Sequence, residues 1–256
     1  MANQDTIQKT LTVALLLCFV CSVIVSTAAV LLRPMQDANK DQDRKKNILL
    51  AAGLYQEGIE IDEQFSVIKA RLVDLDTGTF SLESDISSFD QRKSAKDPSQ
   101  SMALTSDQDQ AKISRRENQA LVYIVESKGE FDKIILPVHG YGLWSTLYGF
   151  VALESDLNTI AGLGFYEHGE TPGLGGEVDN PRWKAFWPGK QVYKEGTVAI
   201  QLIKGVVDPS SIDSSYQVDG LSGATLTSTG ITNLLQFWLG QNGFQTFISN
   251  FKTGKA

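Results

Sequence analysis

The stretch Asp219-Gly220-Leu221-Ser222-Gly223-Ala224-Thr225, continued by Leu226-Thr227-Ser228-Thr229-Gly230, sets hydroxyl and small side chains among glycines directly ahead of the apolar run Ile231 to Leu239. That run reads as a helix near Gly230 to Leu239. The start of a helix leaves its first backbone N–H groups without partners, and the macrodipole adds roughly half a positive charge there. The chemistry on offer is therefore anion binding, with a phosphate as the natural guest. Gly220 and Gly223 let a bulky group come close to the main chain. Ser and Thr are also ordinary helix caps and Gly an ordinary turn residue, so local chemistry alone is explained as simply by a plain helix start. Thr225, Thr227 and Thr229 all offer hydroxyls, and residue type does not choose among them.

Two loops add a second kind of chemistry. Val138-His139-Gly140-Tyr141-Gly142-Leu143-Trp144 interleaves glycines with aromatics, and His168-Gly169-Glu170-Thr171-Pro172-Gly173-Leu174-Gly175-Gly176-Glu177 is followed by Trp183, Phe186 and Trp187. Flexible backbone beside planar side chains suits a planar aromatic ligand, which needs close backbone approach at its polar edge and apolar cover on its face. His139 and His168 are the only histidines, with no further ligands to complete a coordination sphere, so no metal site is expected. Glu170 and Glu177 lack a neighbouring nucleophile or metal, so no catalytic residue is assigned. Cys18 and Cys21, the only cysteines, lie in an apolar run and read as lipid-facing or helix-packing residues. A net charge of −7 argues against nucleic acid as a partner.

The elements that must position these loops follow from pattern. After a short tail (1–10), Leu11 to Leu32 is uncharged, and at 1.5 Å per residue it reaches about 33 Å, enough to span a bilayer core. A transmembrane anchor is favoured over a cleaved signal peptide ending near Ser26-Thr27-Ala28, because the apolar run continues through Leu32. Arg33, Lys40, Arg44, Lys45 and Lys46 follow the span against Lys9 before it, so the charge count alone puts the large domain in the cytoplasm. Residues 33–119 form a helical collar and a polar excursion. Within them Ile48, Leu49, Ala52 and Leu54, then Ile61, Phe65, Ile68 and Leu72, predict two amphipathic helices joined near Gly58. Thr77 to Gln119 is polar and is given little structure. Strands are predicted at Ala120–Val125, Lys133–Val138, Gly149–Leu153, Thr159–Tyr166 and Val198–Ile203. The final helix should pack Ile231, Leu234, Leu235 and Trp238 on their sheet. The fold class is α+β, with a mainly antiparallel sheet flanked by helices over 120–256.

A single N-terminal span, the Gly-Tyr-Gly-Leu-Trp loop, the Glu-Thr-Pro-Gly-Leu-Gly loop and Asp-Gly-x-Ser-Gly-Ala-Thr together resemble the FMN-binding domain family. Its members include electron-relay subunits of membrane NADH:quinone oxidoreductases that pump sodium, and of the related Rnf-type ferredoxin:NAD oxidoreductases. The polar insertion and paired helices are more similar to the sodium-pumping type. The resemblance implies one FMN per chain, held by a phosphoester between its phosphate and the hydroxyl of Thr225. It implies that a flavin transferase, with FAD as donor, recognises the motif, whose pattern Asp219, Gly220, Ser222, Gly223 and Ala224 match one by one, and that Asp219, Ser222, Gly223 and Ala224 belong with Thr225 to the cofactor site. By the same resemblance Glu170, Thr171, Pro172, Gly173 and Leu174 line one side of the ring and Gly142, Leu143 and Trp144 the other. The implied partners are the other subunits of a six-subunit complex (A, B, D, E and F), the transferase during maturation, and membrane lipid. The implied location is the bacterial inner membrane with the large domain periplasmic, against the charge count. NADH is expected on another subunit, since no G-x-G-x-x-G follows a strand. A membrane-anchored binding protein without a cofactor is the reading from a different class.

Overall fold

The computed structural model describes residues 6–81, 86 and 89–256. Parts of the short tail and of the polar stretch thus lie outside the described residues. The chain divides into two compact units, Met1–Asp43 and Arg44–Ala256. The first consists of helix α1 (Ile7–Ala51) up to Asp43, with side chains such as Leu15, Phe19, Ile24 and Leu31 exposed. By length and composition this helix can cross a membrane, and it contains the predicted span with its two cysteines exposed.

The last turns of α1 belong to the second unit. They end at Gly53, whose φ of +69° lets the Leu54 and Gly53 N–H groups fold back onto the Leu49 and Leu50 carbonyls at 2.8 and 3.1 Å. The predicted collar helices therefore differ from expectation: the first is the end of α1, and the second is only α2 (Ile61–Phe65). Ile68 and Leu72 lie not on a helix but on strand β1 (Ile68–Asp74), paired antiparallel from Ile68 against Val125 to Asp74 against Gln119. A spacing of four fits both a helical face and every second residue of a strand, and Ala70 between them packs on the same cluster.

The polar stretch is also more ordered than predicted. It holds β2 (Thr79–Phe80), α3 (Gln91–Lys96), β3 (Ser101–Ala103) and β4 (Arg115–Glu117), the last two paired antiparallel. Hydrogen bonds do the work that apolar residues do elsewhere. Asp90 caps α3 by accepting from the Arg92 and Lys93 N–H groups, and Asp109 accepts from Ile113 and Ser114.

The main sheet adds β5 (Gln119–Ser127), β6 (Glu130–Tyr141), β7 (Thr146–Glu154) and β8 (Ile160–Glu167), covering four of the predicted strands. Its order is β2-β1-β5-β6-β7-β8, antiparallel throughout. Both faces are buried, so the strands read as near-continuous apolar runs. Tyr123, Val125, Ile135 and Phe150 meet Ile48, Leu49 and Ala52 on one face. On the other, Val122, Ile134, Leu136 and Val151 join the core that holds Ile231, Leu234, Leu235 and Trp238, as predicted.

Beyond β8 come α4 (Pro181–Lys184), β9 (Tyr193–Lys194), β10 (Thr197–Val198), β11 (Gln201–Ile203), β12 (Gln217–Asp219), α5 (Thr225–Trp238) and α6 (Gln245–Lys252). The strand predicted over Val198–Ile203 is two short ones outside the main sheet. β10 pairs with β9, and β11 runs parallel to β12, which delivers the chain to the hydroxyl-rich stretch.

Candidate functional site

Helix α5 begins at Thr225, not near Gly230, so the hydroxyl-rich stretch is the first turn of the helix rather than a lead-in to it. The apolar run that marks a helix in sequence starts only at Ile231, because the first turn is held by hydroxyls. The Ser228 hydroxyl accepts from the Leu221 N–H at 2.9 Å and donates to the Ala224 carbonyl at 3.1 Å. Ala224 at the cap supplies no side-chain acceptor, and no acidic residue occupies the first turn. Among the described residues nothing accepts from the N–H groups of Thr225, Leu226 and Thr227. An uncapped helix start with three free donors is a cradle for an anion.

The three threonines have different fates. Thr227 is fully buried and donates its hydroxyl to Glu170 Oε2 at 2.8 Å. Thr229 turns its hydroxyl back onto the Thr225 carbonyl at 3.0 Å. Thr225 is exposed, and its hydroxyl has no partner among the described residues. Just ahead of it Ser222 and Gly223 are exposed and Ala224 is buried; Gly223 has φ +71°, a left-handed turn suited to glycine, with no room to spare beside the Leu174 side chain. Asp219 ends β12, where its carboxylate accepts from the Val207 N–H at 2.8 Å and its carbonyl from the Trp183 indole at 3.0 Å.

The two glycine loops converge on the same helix start through Glu170. This buried side chain accepts from the N–H groups of Leu143, Trp144 and Ser145 on Oε1 at 3.1, 3.0 and 3.2 Å, and from Thr227 on Oε2. Burial pushes its carboxyl upward, but the hydrogen bonds from Trp144, Thr227, Leu143 and Ser145 outweigh it and hold the group below its ordinary value. A Cβ on Gly142 would lie 2.6 Å from Oε1, and one on Gly175 would lie 2.7 Å from Oε2. Ser145 adds a tie by accepting from the Gly169 N–H at 2.6 Å. Ser145 and Thr227 carry no signal in the sequence that would single them out for these contacts.

The two loops and the helix start carry exposed apolar side chains. Trp144 is 66% exposed, Leu226 61% and Leu174 44%, with Thr171, Pro172 and Gly173 also exposed and Gly142 and Leu143 half-buried. Trp183 and Trp187 are buried in the core instead, and Phe186 lines a cavity of about 500 Å³ that reaches the motif only at Asp219. His139 lies between Tyr148 and Trp238, and burial, reinforced by the Arg92 charge, pushes its imidazole down to about 4. His168 bridges Asp179 at 2.8 Å and the Glu170 N–H at 3.2 Å. Glu177 accepts from the Asn180 side chain at 2.7 Å.

A family model described as the FMN-binding domain matches residues 142–240, which include the end of the first glycine loop, all of the second and the start of α5. The C subunit of the Na(+)-translocating NADH-quinone reductase of Pseudomonas aeruginosa is 55% identical over 261 residues, covering 100% of both chains. That of Vibrio vulnificus is 50% identical over 256 residues, covering 99% of both. Among solved structures, NqrC of Shewanella oneidensis aligns with a TM-score of 0.78 and 39% identity over 84% of this chain and 99% of that one. The C subunit of the reductase from Parabacteroides distasonis aligns with a TM-score of 0.66 and 29% identity over 85% and 97%.

Proposed function

The chain belongs to the family of C subunits of the Na(+)-translocating NADH-quinone reductase, and on that premise we propose that it is the membrane-anchored electron relay of such a complex, carrying FMN through a phosphoester on Thr225. When bound, FMN supplies a centre that takes up and releases electrons one or two at a time. The observation that carries the assignment is the separate fate of the three threonines: Thr227 is committed to Glu170, Thr229 to its own helix, and Thr225, at the first position of α5, has no side-chain partner among the described residues.

The residues present fit the group. The unsatisfied N–H groups of the first turn of α5 would hold the phosphate, and attachment to a hydroxyl there keeps the charge at the positive end of the helix. In the transfer, the Thr225 hydroxyl would replace AMP on the flavin-bearing phosphorus of FAD: one O–P bond would form as the pyrophosphate P–O bond broke, and the hydroxyl proton would leave with AMP. The exposed Ser222 and Gly223, set by the buried Ala224 behind them, are what a flavin transferase would read, with Asp219 fixing the approach from β12. The exposed faces of Trp144 and Leu174, with Gly142, Leu143 and Thr171-Pro172-Gly173 beside them, would cover and edge the ring. The other subunits of the complex would supply donor, acceptor and the sodium path. The large unit would lie on the periplasmic side of the inner membrane, and the span, without an acidic residue between Leu11 and Leu32, would serve as an anchor.

The test is to produce the full chain together with a flavin transferase and view denaturing gels under ultraviolet light. The expected result is a fluorescent band in wild type, Thr227→Val and Thr229→Ala, and a dark one in Thr225→Ala. Fluorescence surviving in Thr225→Ala would refute the site. A dark wild-type band would favour an anchored binding protein with no flavin.

A further inference from the structure

Three segments far apart in sequence meet at one buried carboxylate. Glu170 holds a nest of three successive N–H groups with one oxygen, and with the other it holds a hydroxyl 57 residues away on α5. Gly142 and Gly175 are the residues whose side chains would occupy the space the carboxylate fills. Gly230 brings the helix against this loop closely enough that a Cβ there would sit 2.5 Å from the Tyr141 carbonyl. The arrangement is costly for a group needed only as filler, because a buried carboxylate requires several donors to offset lost hydration. Among the described residues it has four, three from the loop at Leu143 to Ser145 and one from the helix that Thr225 begins.

The geometry of α5 gives the contact its consequence. Residues two apart on a helix are separated by about 200° around its axis. With the Thr227 hydroxyl turned inward to Glu170, Thr225 lies on the exposed side of the helix. Rolling the helix to release Thr227 would swing Thr225 with it. The same carboxylate pins the Trp144 N–H, and so the loop that carries the exposed indole.

We propose that Glu170 is a positioning residue for the flavin: it fixes the turn that holds the tether and the loop that covers the ring in one relation, so that the ring's orientation is set by a side chain committed wholly to protein donors. This rests on the reading that Thr225 carries FMN. Glu170→Gln keeps the shape but removes the charge on which the three nest amides converge, and its N–H₂ group can be accepted only by the Thr227 hydroxyl, never by the nest. Thr227→Val keeps the nest and cuts only the link to α5.

The experiment uses the full chain in detergent, with and without the flavin transferase, as wild type, Glu170→Gln and Thr227→Val. Hydrogen exchange at Leu143, Trp144 and Ser145, visible circular dichroism of the native flavin, and fluorescence of the denatured band are read together. In Glu170→Gln the three amides should exchange at least tenfold faster whether or not flavin is attached, and the visible dichroism should lose at least half its amplitude while the band stays fluorescent. In Thr227→Val the amides should stay protected while the dichroism still changes, which keeps the test open if Glu170→Gln fails to fold. Fluorescent bands with wild-type dichroism in both variants would overturn the proposal alone. A dark wild-type band would overturn the flavin reading and the proposal with it.

Discussion

Replacing Gly230 by alanine sets two known effects against each other. In the interior of a helix the change ordinarily stabilises by about 1 kcal/mol, through lower backbone entropy in the unfolded chain. In α5 the added Cβ would lie 2.5 Å from the Tyr141 carbonyl oxygen and 2.9 Å from the Gly142 Cα. Neither atom yields easily. The Tyr141 N–H is bonded to the Ala111 carbonyl at 2.8 Å and the Gly142 N–H to the Ser145 carbonyl at 2.9 Å, and the next residues hang from Glu170. Overpacking costs about 1–3 kcal/mol, and contact with pinned backbone belongs at the upper end, so Gly230→Ala should destabilise by roughly 2 kcal/mol net. For a domain of this size that is a fall in melting temperature of about 4–8 °C. Thermal unfolding of the detergent-solubilised chain, followed by tryptophan fluorescence, reads it directly. A variant as stable as wild type or more so would show that the loop gives way to the helix, and that close packing does not hold the two together at the site.

Gly223→Ala forces a side chain into φ +71° beside Leu174; a cost of roughly 1 kcal/mol felt when the transferase engages the turn would slow flavin incorporation about fivefold, visible as a lower initial rate of band fluorescence. Two groups give opposite pH dependences, separable in urea titrations at a series of pH values. Burial, with Arg92 adding, lowers His139 from 6.5 to about 4, so the unfolded chain takes up a proton that the folded one refuses and stability falls as pH drops through that window; His139→Phe should flatten the loss, worth roughly 3 kcal/mol at most. Burial raises Glu117 from 4.5 to about 7 against the hydrogen bond from Gln91 and the Arg116 charge, so its contribution is present below 4.5 and lost as pH rises through 7; Glu117→Gln should remove that upper slope, and an unchanged slope would exclude Glu117 as its source.

What could be read from the sequence depended on what held each element. The central strands were legible because both faces of the sheet are buried and their apolar runs are unbroken, as at Val122 to Val125. The packing face of α5 was legible from Ile231, Leu234, Leu235 and Trp238 for the same reason. Strand β1 was not, since Ile68 and Leu72 obey either period, and only pairing with β5 decides. The region around α3, β3 and β4 was not, because it is held by side chain to main chain hydrogen bonds that leave no hydrophobic pattern. In the site, the hydroxyl-rich stretch and the two glycine loops stood out by composition. The bond that joins them, Thr227 to Glu170, could not be seen, because a glutamate in a glycine loop looks the same whether it faces a ligand, a proton or a nest of amides.

The stretch from Asp219 to Thr225 also turns out to be scaffold as much as signal. The Asp219 carboxylate is bound to the Val207 N–H, and a Cβ on Gly220 would lie 2.3 Å from the Ile203 carbonyl oxygen. Ser228, outside the motif, ties Leu221 to Ala224. These contacts fix where the strand stops and at what azimuth the helix begins, while only Ser222, Gly223 and Thr225 are left exposed along the turn. Loss of flavin after substitution at Asp219 or Gly220 therefore does not identify a contact with the transferase, since displacement of α5 would have the same effect. A substitution at Ser222 separates the two, because that side chain has no hydrogen bond among the described residues and its removal leaves β12, the turn and the helix start in place. If Ser222→Ala labels poorly while melting as wild type does, the exposed face is what the transferase reads; if it labels normally, recognition rests on the backbone shape that the buried residues impose.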